Sequence, residues 1–145
     1  GVVPMVRELA RRGFRVCIAA NQEPALNDMT APEVADVLER AAAVDAPIRA
    51  ALHEGRLTSM STGSDLPVMD LHAVSGEFLT ACQESDLVVF EGMGRGIETT
   101  LELTATGMGI LNVGMVKHQR IAELMGCELF DCVCHWKPAT KAAYM

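Results

Sequence analysis

The stretch Gly92-Met93-Gly94-Arg95-Gly96 combines glycines with an arginine in a pattern suited to binding an anion. Glycine lets backbone N–H groups turn toward one point, and its lack of a Cβ atom lets a ligand approach closely. The guanidinium group adds a permanently charged donor that matches phosphate or carboxylate. Glu91 directly precedes the stretch, where it could bind a metal, orient a water or hold Arg95. Glycine also marks ordinary turns, so the spacing alone leaves a structural interpretation open.

Asp28 and Lys117 are further candidates for chemistry. A carboxylate in a polar loop suits a hard cation such as Mg²⁺ or Mn²⁺, but Asp28 is equally typical of an Asx turn or a helix cap. Lys117 precedes a predicted helix, where the helix dipole disfavours a cation. This position therefore favours a functional role, in which the ammonium group neutralises phosphoryl oxygens. His118 is a weaker candidate for a general acid or base, because a lone histidine is more often structural.

The elements that must position these residues alternate between helix and short apolar strand. This order predicts an α/β fold with a doubly wound, mostly parallel sheet covered by helices on both faces, which makes three layers. We predict one domain over residues 1–136 and a frayed polar tail at residues 137–145. Helices are predicted near residues 1–12, 31–44, 45–55, 71–82 and 117–125, and strands at residues 14–20, 56–61, 86–90, 109–116 and 128–136.

Polar side chains follow four of the predicted strands. In open α/β sheets, ligands bind at the carboxyl ends of the strands. We therefore expect a carboxylate, a glycine-lined anion site and an ammonium group to face one pocket at one edge of the sheet. Loops are polar in general, so each loop taken alone also fits a structural role. The candidate residues are Asn21, Asn27 and Asp28, then Thr62, Gly63, Ser64 and Asp65, then Glu91 to Gly96, and finally Lys117.

Composition excludes several classes of protein. The chain has 145 residues, 50% of them hydrophobic, and a mean hydropathy of +0.21, which favours a folded core over disorder. A net charge of −7 argues against nucleic-acid binding. The basic cluster Arg7, Arg11, Arg12 and Arg15 has the helical spacing of a solvated face. Phosphate remains a possible ligand, because backbone amides and single cations bind it locally.

The cysteines indicate a reducing compartment. Their number is odd, at five, and no CxxC pair occurs. Cys17 and Cys132 lie in apolar runs, which predicts reduced core thiols and a cytoplasmic protein. Strand alternation places His135 on the face opposite Cys132 and Cys134, which argues against a zinc site. No signal peptide and no apolar run of about 20 residues is visible, so we expect no membrane partner.

Three segments resemble, in the same order, segments of the damage-control phosphatases. They are NQEPALNDMT at residues 21–30, EGMGRGIET at residues 91–99 and GMVKH at residues 114–118. The resemblance covers residues 1–136. The three segments look closest to those of a subfamily with a Glu-Gly-Met-Gly-Arg signature. That subfamily includes plant stand-alone enzymes and the phosphatase domain appended to certain pantothenate kinases. It implies an α/β/α fold and hydrolysis of phosphate monoesters with one divalent cation, Mn²⁺, Co²⁺, Ni²⁺ or Mg²⁺.

The resemblance also implies roles for individual residues. Asp28 matches a metal-binding aspartate of the family, and Lys117 matches its active-site lysine. We predict catalytic roles for Asp28, Glu91 and Lys117, a metal at Asp28, and phosphate binding by Gly92, Met93, Gly94, Arg95, Gly63 and Ser64. The resemblance implies that an Asp-Asn pair, which completes the metal site, falls just before Gly1 in an upstream part of the same polypeptide, where the family has a strand and loop leading into this helix. The chain also begins inside a predicted helix without an initiator methionine. We therefore expect a fragment of a larger phosphatase domain, inactive by itself, whose implied substrate is phosphopantetheine or its oxidised or sulfonated forms.

Three other functions stay open from the sequence. The first is a non-catalytic phosphate- or nucleotide-binding domain that regulates a fused or partner kinase. The second is a Rossmann-type methyltransferase or dehydrogenase, which is disfavoured because its glycine loop follows the first strand. The third is a purely structural domain, which needs no polar groups at the strand ends.

Overall fold

A computed structural model describes residues 1–140 of the chain. Helices and strands alternate throughout, which confirms the predicted α/β class. The chain divides into two compact units, residues 1–65 and the residues from Leu66 onward. We predicted a single domain over residues 1–136; the division into two compact units does not test this prediction. Within the described residues, every helix is too short or too polar to cross a membrane.

The first unit is a two-stranded parallel sheet covered by helices. Strands β1 and β2 pair from Val16↔Leu57 to Ala20↔Ser61. Alternate β1 residues Val16, Ile18 and Ala20 pack against the buried core, whereas Cys17 on the opposite face is exposed. The prediction that Cys17 is a core residue is therefore wrong, because a strand covered on one face buries only every second side chain. The elements are α1 (Val2–Arg11), β1 (Val16–Ala20), α2 (Ala31–Val44), α3 (Ala46–His53) and β2 (Leu57–Ser61).

Helix α2 begins and ends at the predicted residues, because its sequence carries strong start signals. The carboxylate of Glu33 accepts hydrogen bonds from Thr30 N at 2.7 Å and from Thr30 Oγ1 at 2.8 Å. These two bonds hold the pKa of Glu33 below its usual value. They also fix the residue that joins α2 to the preceding loop.

Asp45 ties the start of α3 to α1. Its carboxylate accepts a hydrogen bond from the side chain of Arg7 and another from Ile48 N at 3.0 Å. Arg7 is paired with Asp45, and its side chain remains 42% exposed, in agreement with the solvated face expected from the sequence. The hydrogen bond from Arg7 and then the one from Ile48 N lower the pKa of Asp45. A carboxyl group with a lowered folded-state pKa stabilises the protein above its unfolded-state pKa, and this contribution is lost as the pH falls through the folded-state value.

We therefore expect the melting temperature to fall as the pH drops below about 4, and to fall less in an Asp45→Asn variant. Thermal unfolding followed between neutral and acid pH measures this difference. Asp36→Asn is the control, because Asp36 is exposed and lies 3.8 Å from Arg40. An equal decline in wild type and Asp45→Asn would contradict the assignment.

The second unit is a three-stranded sheet of order β3-β4-β5. Strands β3 and β4 are parallel, and β5 runs antiparallel to β4, from Ile110↔Lys137 to Met115↔Cys132. The antiparallel strand β5 is compatible with the mostly parallel sheet that the sequence predicts. The elements are α4 (Gly76–Gln83), β3 (Leu87–Glu91), a π-helix (Gly94–Glu98), β4 (Gly109–Met115), α5 (Gln119–Met125) and β5 (Cys132–Lys137).

The end of the described chain is held by hydrogen bonds. Lys137 is the last residue of β5, and Thr140 N donates to Ala105 O at 2.9 Å. Gly107 N donates to Thr140 O at 3.3 Å. Residues 137–140 thus differ from the frayed tail that we predicted, and residues 141–145 lie outside the described residues. Cys132 is exposed on the edge strand β5, contrary to its predicted core position.

Candidate functional site

The loop that carries Asp28 leaves β1 and returns to the start of α2. Its ends lie side by side, because Asn21 bridges Thr30 and Asn21 O accepts from Ala31 N at 2.8 Å. Asn21 is buried, with 2% of its surface exposed. Within the loop, Asp28 N donates to Ala25 O at 3.0 Å and closes a tight turn. This turn leaves the side chain of Asp28 partly exposed beside the helix start.

A divalent cation needs more ligands than this loop provides. The carboxylate of Asp28 is of the type that hard cations bind. Among residues 1–140, however, no three His, Cys, Asp or Glu side chains form a group that could hold a metal ion. The described residues therefore do not fit a complete metal site, and Asp28 accounts for one ligand at most.

The loop after β2 is fixed mainly by its own backbone. Gly63 has a φ of +77°, a left-handed conformation that favours glycine. Gly63 N donates to Ser61 Oγ at 2.9 Å, and Ser64 O accepts from Gln22 N at 2.9 Å. Ser64 is buried, with 5% exposed. The phosphate-binding roles of Gly63 and Ser64 stay predictions, and the observed bonds tie their loop to the one that carries Asp28.

In the second unit, the glycine segment (residues 92–98) turns over the ends of β3 and β4. Gly92 has a φ of +105° and donates its N–H to Val113 O at 3.0 Å. The chain then enters the π-helix, a rare form that often marks functional sites. Gly96 N donates to Gly92 O at 2.9 Å. The segment thus combines an irregular turn at Gly92 with a short helix at residues 94–98.

The other glycines of the segment are required by close packing. A Cβ atom on Gly96 would lie 2.7 Å from Phe90 O and 2.9 Å from Val113 O, and one on Gly94 would lie 2.8 Å from Pro67 O. The prediction assigned these glycines to the approach of a ligand. For Gly94 and Gly96, the atoms that approach belong to the chain itself.

Lys117 lies beside this segment. Its backbone N–H donates to the Sδ atom of Met93 at 3.1 Å, while its side chain is exposed. The preceding residue, Val116, is fully buried and pairs through its backbone with Phe130 and Asp131. The structure thus brings the end of β4 and the glycine segment together. The predicted convergence of Asp28 and Lys117 on one pocket stays a prediction, because the two residues belong to different units.

The segment offers anion-binding groups in a limited number. The N–H groups of Gly92 and Gly96 donate to Val113 O and Gly92 O, whereas those of Met93 and Gly94 lie at the start of the π-helix, where the first N–H groups have no partner within the helix. The Nη2 atom of Arg95 donates to Leu66 O at 2.9 Å, so this guanidinium also holds the neighbouring chain. Glu91 ends β3 with an exposed side chain. These groups can bind a small anion through two amides and a cation.

Two buried polar residues behind the segment were missed by the sequence analysis. Asn112 and Thr100 have 0% and 1% of their surface exposed, and both hydrogen-bond to the glycine segment. A single amide inside the apolar strand GILNVGM was the available signal. A cavity of about 170 Å³ in the same unit, lined by Phe78, Phe90 and Leu103 among others, includes none of the predicted site residues.

The chain is similar to known proteins that are named as phosphatases or as pantothenate kinase. Damage-control phosphatase At2g17340 of Arabidopsis thaliana is 41% identical over 92% of this chain and 36% of its own length. Pantothenate kinase 2 of the same plant is 37% identical over 95% of this chain and 18% of its own. The 4'-phosphopantetheine phosphatase of Mus musculus is 32% identical over 97% of this chain and 23% of its own. The chain thus spans about a third or less of the length of these relatives.

A solved structure shows the same fold. The DUF89 family protein of Pyrococcus horikoshii superposes with a TM-score of 0.63 at 24% identity, over 90% of this chain and 41% of the other. The family described as "Damage-control phosphatase ARMT1-like domain" matches residues 2–133. Because that match covers most of the sequence, the chain belongs to the damage-control phosphatase ARMT1-like domain family.

Proposed function

We propose that the full-length protein is a metal-dependent phosphatase that hydrolyses a small phosphate monoester. The observation that carries this proposal is the glycine segment with Arg95, held beside Lys117 in a chain of the damage-control phosphatase family. The mouse relative is named for 4'-phosphopantetheine. We therefore propose phosphopantetheine or a damaged derivative as the substrate.

The groups of the second unit are assigned by their chemistry. The amides of Met93 and Gly94 and the guanidinium of Arg95 would bind the phosphoryl oxygens. The ammonium group of Lys117 would neutralise negative charge that builds on those oxygens during hydrolysis. Glu91, at the end of β3, would orient the attacking water. Hydrolysis breaks the bond between phosphorus and the ester oxygen, water supplies the new oxygen, and the departing alcohol receives a proton.

The first unit would contribute Asp28 as one ligand of a divalent cation. We propose Mn²⁺, Co²⁺, Ni²⁺ or Mg²⁺, whose hard or borderline character suits carboxylate oxygen. The cation would polarise the phosphate ester. Residues outside this chain would supply its other protein ligands. We also propose a cytoplasmic location, which the five free thiols support because disulfides are rare in that compartment.

A second candidate is a non-catalytic phosphate-binding domain that regulates a kinase. It is favoured by the relatives from Arabidopsis and rice that are named pantothenate kinase 2, in each of which the matched part is 18% of the length. Release of inorganic phosphate by the full-length protein distinguishes the two functions. A regulatory domain would bind phosphate esters without releasing phosphate.

The Lys117→Met variant tests the phosphatase directly. We expect kcat to fall about 100-fold, because one charge that stabilises the transition state is lost while the backbone bond to Met93 remains. Steady-state phosphate release from 4'-phosphopantetheine by the full-length protein measures this. Arg120→Met is the matched control, since Arg120 is an exposed cation on α5. Equal activity of Lys117→Met and wild type would exclude Lys117 from the site.

A further inference from the structure

Asn112 is a buried amide in an otherwise apolar strand. None of its surface is exposed, and its Nδ2 atom donates to Gly96 O at 2.7 Å and to Thr100 Oγ1 at 2.8 Å. Its Oδ1 atom has no hydrogen-bond partner among the described residues. Burying an unpaired acceptor costs stability. The Asn112 side chain therefore contributes to the fold through the two hydrogen bonds that its Nδ2 atom donates.

Thr100 completes a connected group. Its Oγ1 atom accepts from Asn112 and donates to Arg95 O. Its own carbonyl oxygen accepts from Lys137 Nζ at 2.8 Å, which fixes the chain just beyond the π-helix. Thr100 is thus held from β4 on one side and from β5 on the other.

These bonds reach two consecutive carbonyl groups of the π-helix, those of Arg95 and Gly96. A π-turn is less favourable than an α-turn, so it persists where the surroundings stabilise it. Here the stabilising groups lie beneath the segment. The N–H groups of Met93 and Gly94 lie at its start, where a helix offers them no internal partner.

We propose that Asn112 and Thr100 are positioning residues, which hold the glycine segment in its π-helical form and thereby aim Arg95 and the amides of Met93 and Gly94 at the phosphoryl group. This inference rests on the proposed phosphatase function for its catalytic consequence. Neither residue touches substrate. Their effect passes through the carbonyl groups of Arg95 and Gly96.

The test compares Thr100→Val with Thr100→Ser in the full-length protein. Valine has the shape of threonine without the hydroxyl group, whereas serine keeps the hydroxyl group. We expect Thr100→Val to lower kcat about 10- to 100-fold with a much smaller change in KM, because misplaced groups fail mainly in the transition state. Thr100→Ser should retain most of the activity. Hydrogen–deuterium exchange of peptides covering residues 92–100 should rise in the valine variant alone.

The outcomes separate this inference from the proposed function. Unchanged exchange in Thr100→Val would overturn the positioning role whatever the activity. Faster exchange with wild-type kcat would overturn it as well, because the bonds would then serve stability alone. If wild type releases no phosphate, the proposed function fails, and the exchange data still decide whether the pair holds the segment. Thr100→Ala replaces Thr100→Val in the test if valine prevents folding.

Discussion

The Asp28→Asn variant of the full-length protein is expected to lose about 100-fold or more of its metal-dependent phosphatase activity. Asparagine has the shape of aspartate but lacks the negative charge that a hard cation requires. The fold should persist, because the turn that positions Asp28 uses its backbone N–H, which donates to Ala25 O. Phosphate release measured over a range of Mn²⁺ concentrations gives both the maximal rate and the Mn²⁺ concentration at half-maximal rate.

Asp36→Asn is the matched control for this experiment. It removes an exposed carboxylate of the same unit, on helix α2, and should leave both values unchanged. Wild-type turnover of Asp28→Asn at saturating Mn²⁺, together with an unchanged Mn²⁺ concentration at half-maximal rate, would exclude Asp28 as a metal ligand. A shifted Mn²⁺ requirement with full maximal activity would assign Asp28 to metal affinity alone.

Gly96→Ala is the second substitution with a large expected effect. The new methyl group would lie 2.7 Å from Phe90 O and 2.9 Å from Val113 O, and both are backbone atoms of paired strands. Because these strands cannot move easily, the glycine segment must shift. We expect a loss of about 1–3 kcal/mol in the free energy of unfolding and a fall in kcat of about 100-fold. Chemical denaturation and phosphate release measure the two effects.

Gly76→Ala provides the control for a glycine replaced by alanine. Gly76 is the first residue of α4, and a Cβ atom there meets nothing within 4 Å. The substitution should leave activity unchanged and should not lower stability. Gly96→Ala with wild-type stability and kcat would show that the segment tolerates displacement, which contradicts the packing described for it.

Local sequence signals predicted the limits of the elements whose ends carry helix-capping residues. Helix α2 was predicted at its observed limits, because Thr30, Pro32 and Glu33 form a start signal. Helix α4 was predicted from residue 71 but begins at Gly76, where Ser75 accepts a hydrogen bond from Phe78 N at 3.1 Å. An apolar pattern extended the prediction into a turn at residues 70–73. Periodicity thus locates a helix better than it locates its first residue.

Features that depend on packing across the sheet could not be predicted from the sequence. The direction of β5 depends on how it pairs with β4, and the exposure of Cys17 follows from which face of β1 is covered. The role of Asn112 depends on a π-helix that no pattern in the sequence indicates. The glycines of the segment were predicted together to let the backbone turn, as Gly92 does at a φ of +105°, whereas the tight packing of Gly96 against β3 and β4 became visible only in three dimensions.

The dependence of phosphate release on a metal ion directly tests the proposal that this chain is part of a metal-dependent phosphatase. The full-length protein is treated with a chelator, and the release of inorganic phosphate from 4'-phosphopantetheine is followed as Mn²⁺ is returned. We expect phosphate release to stop without metal and to recover when Mn²⁺ is added. Release that continues after the metal has been removed, or no release with Mn²⁺, Co²⁺, Ni²⁺ or Mg²⁺, would contradict it.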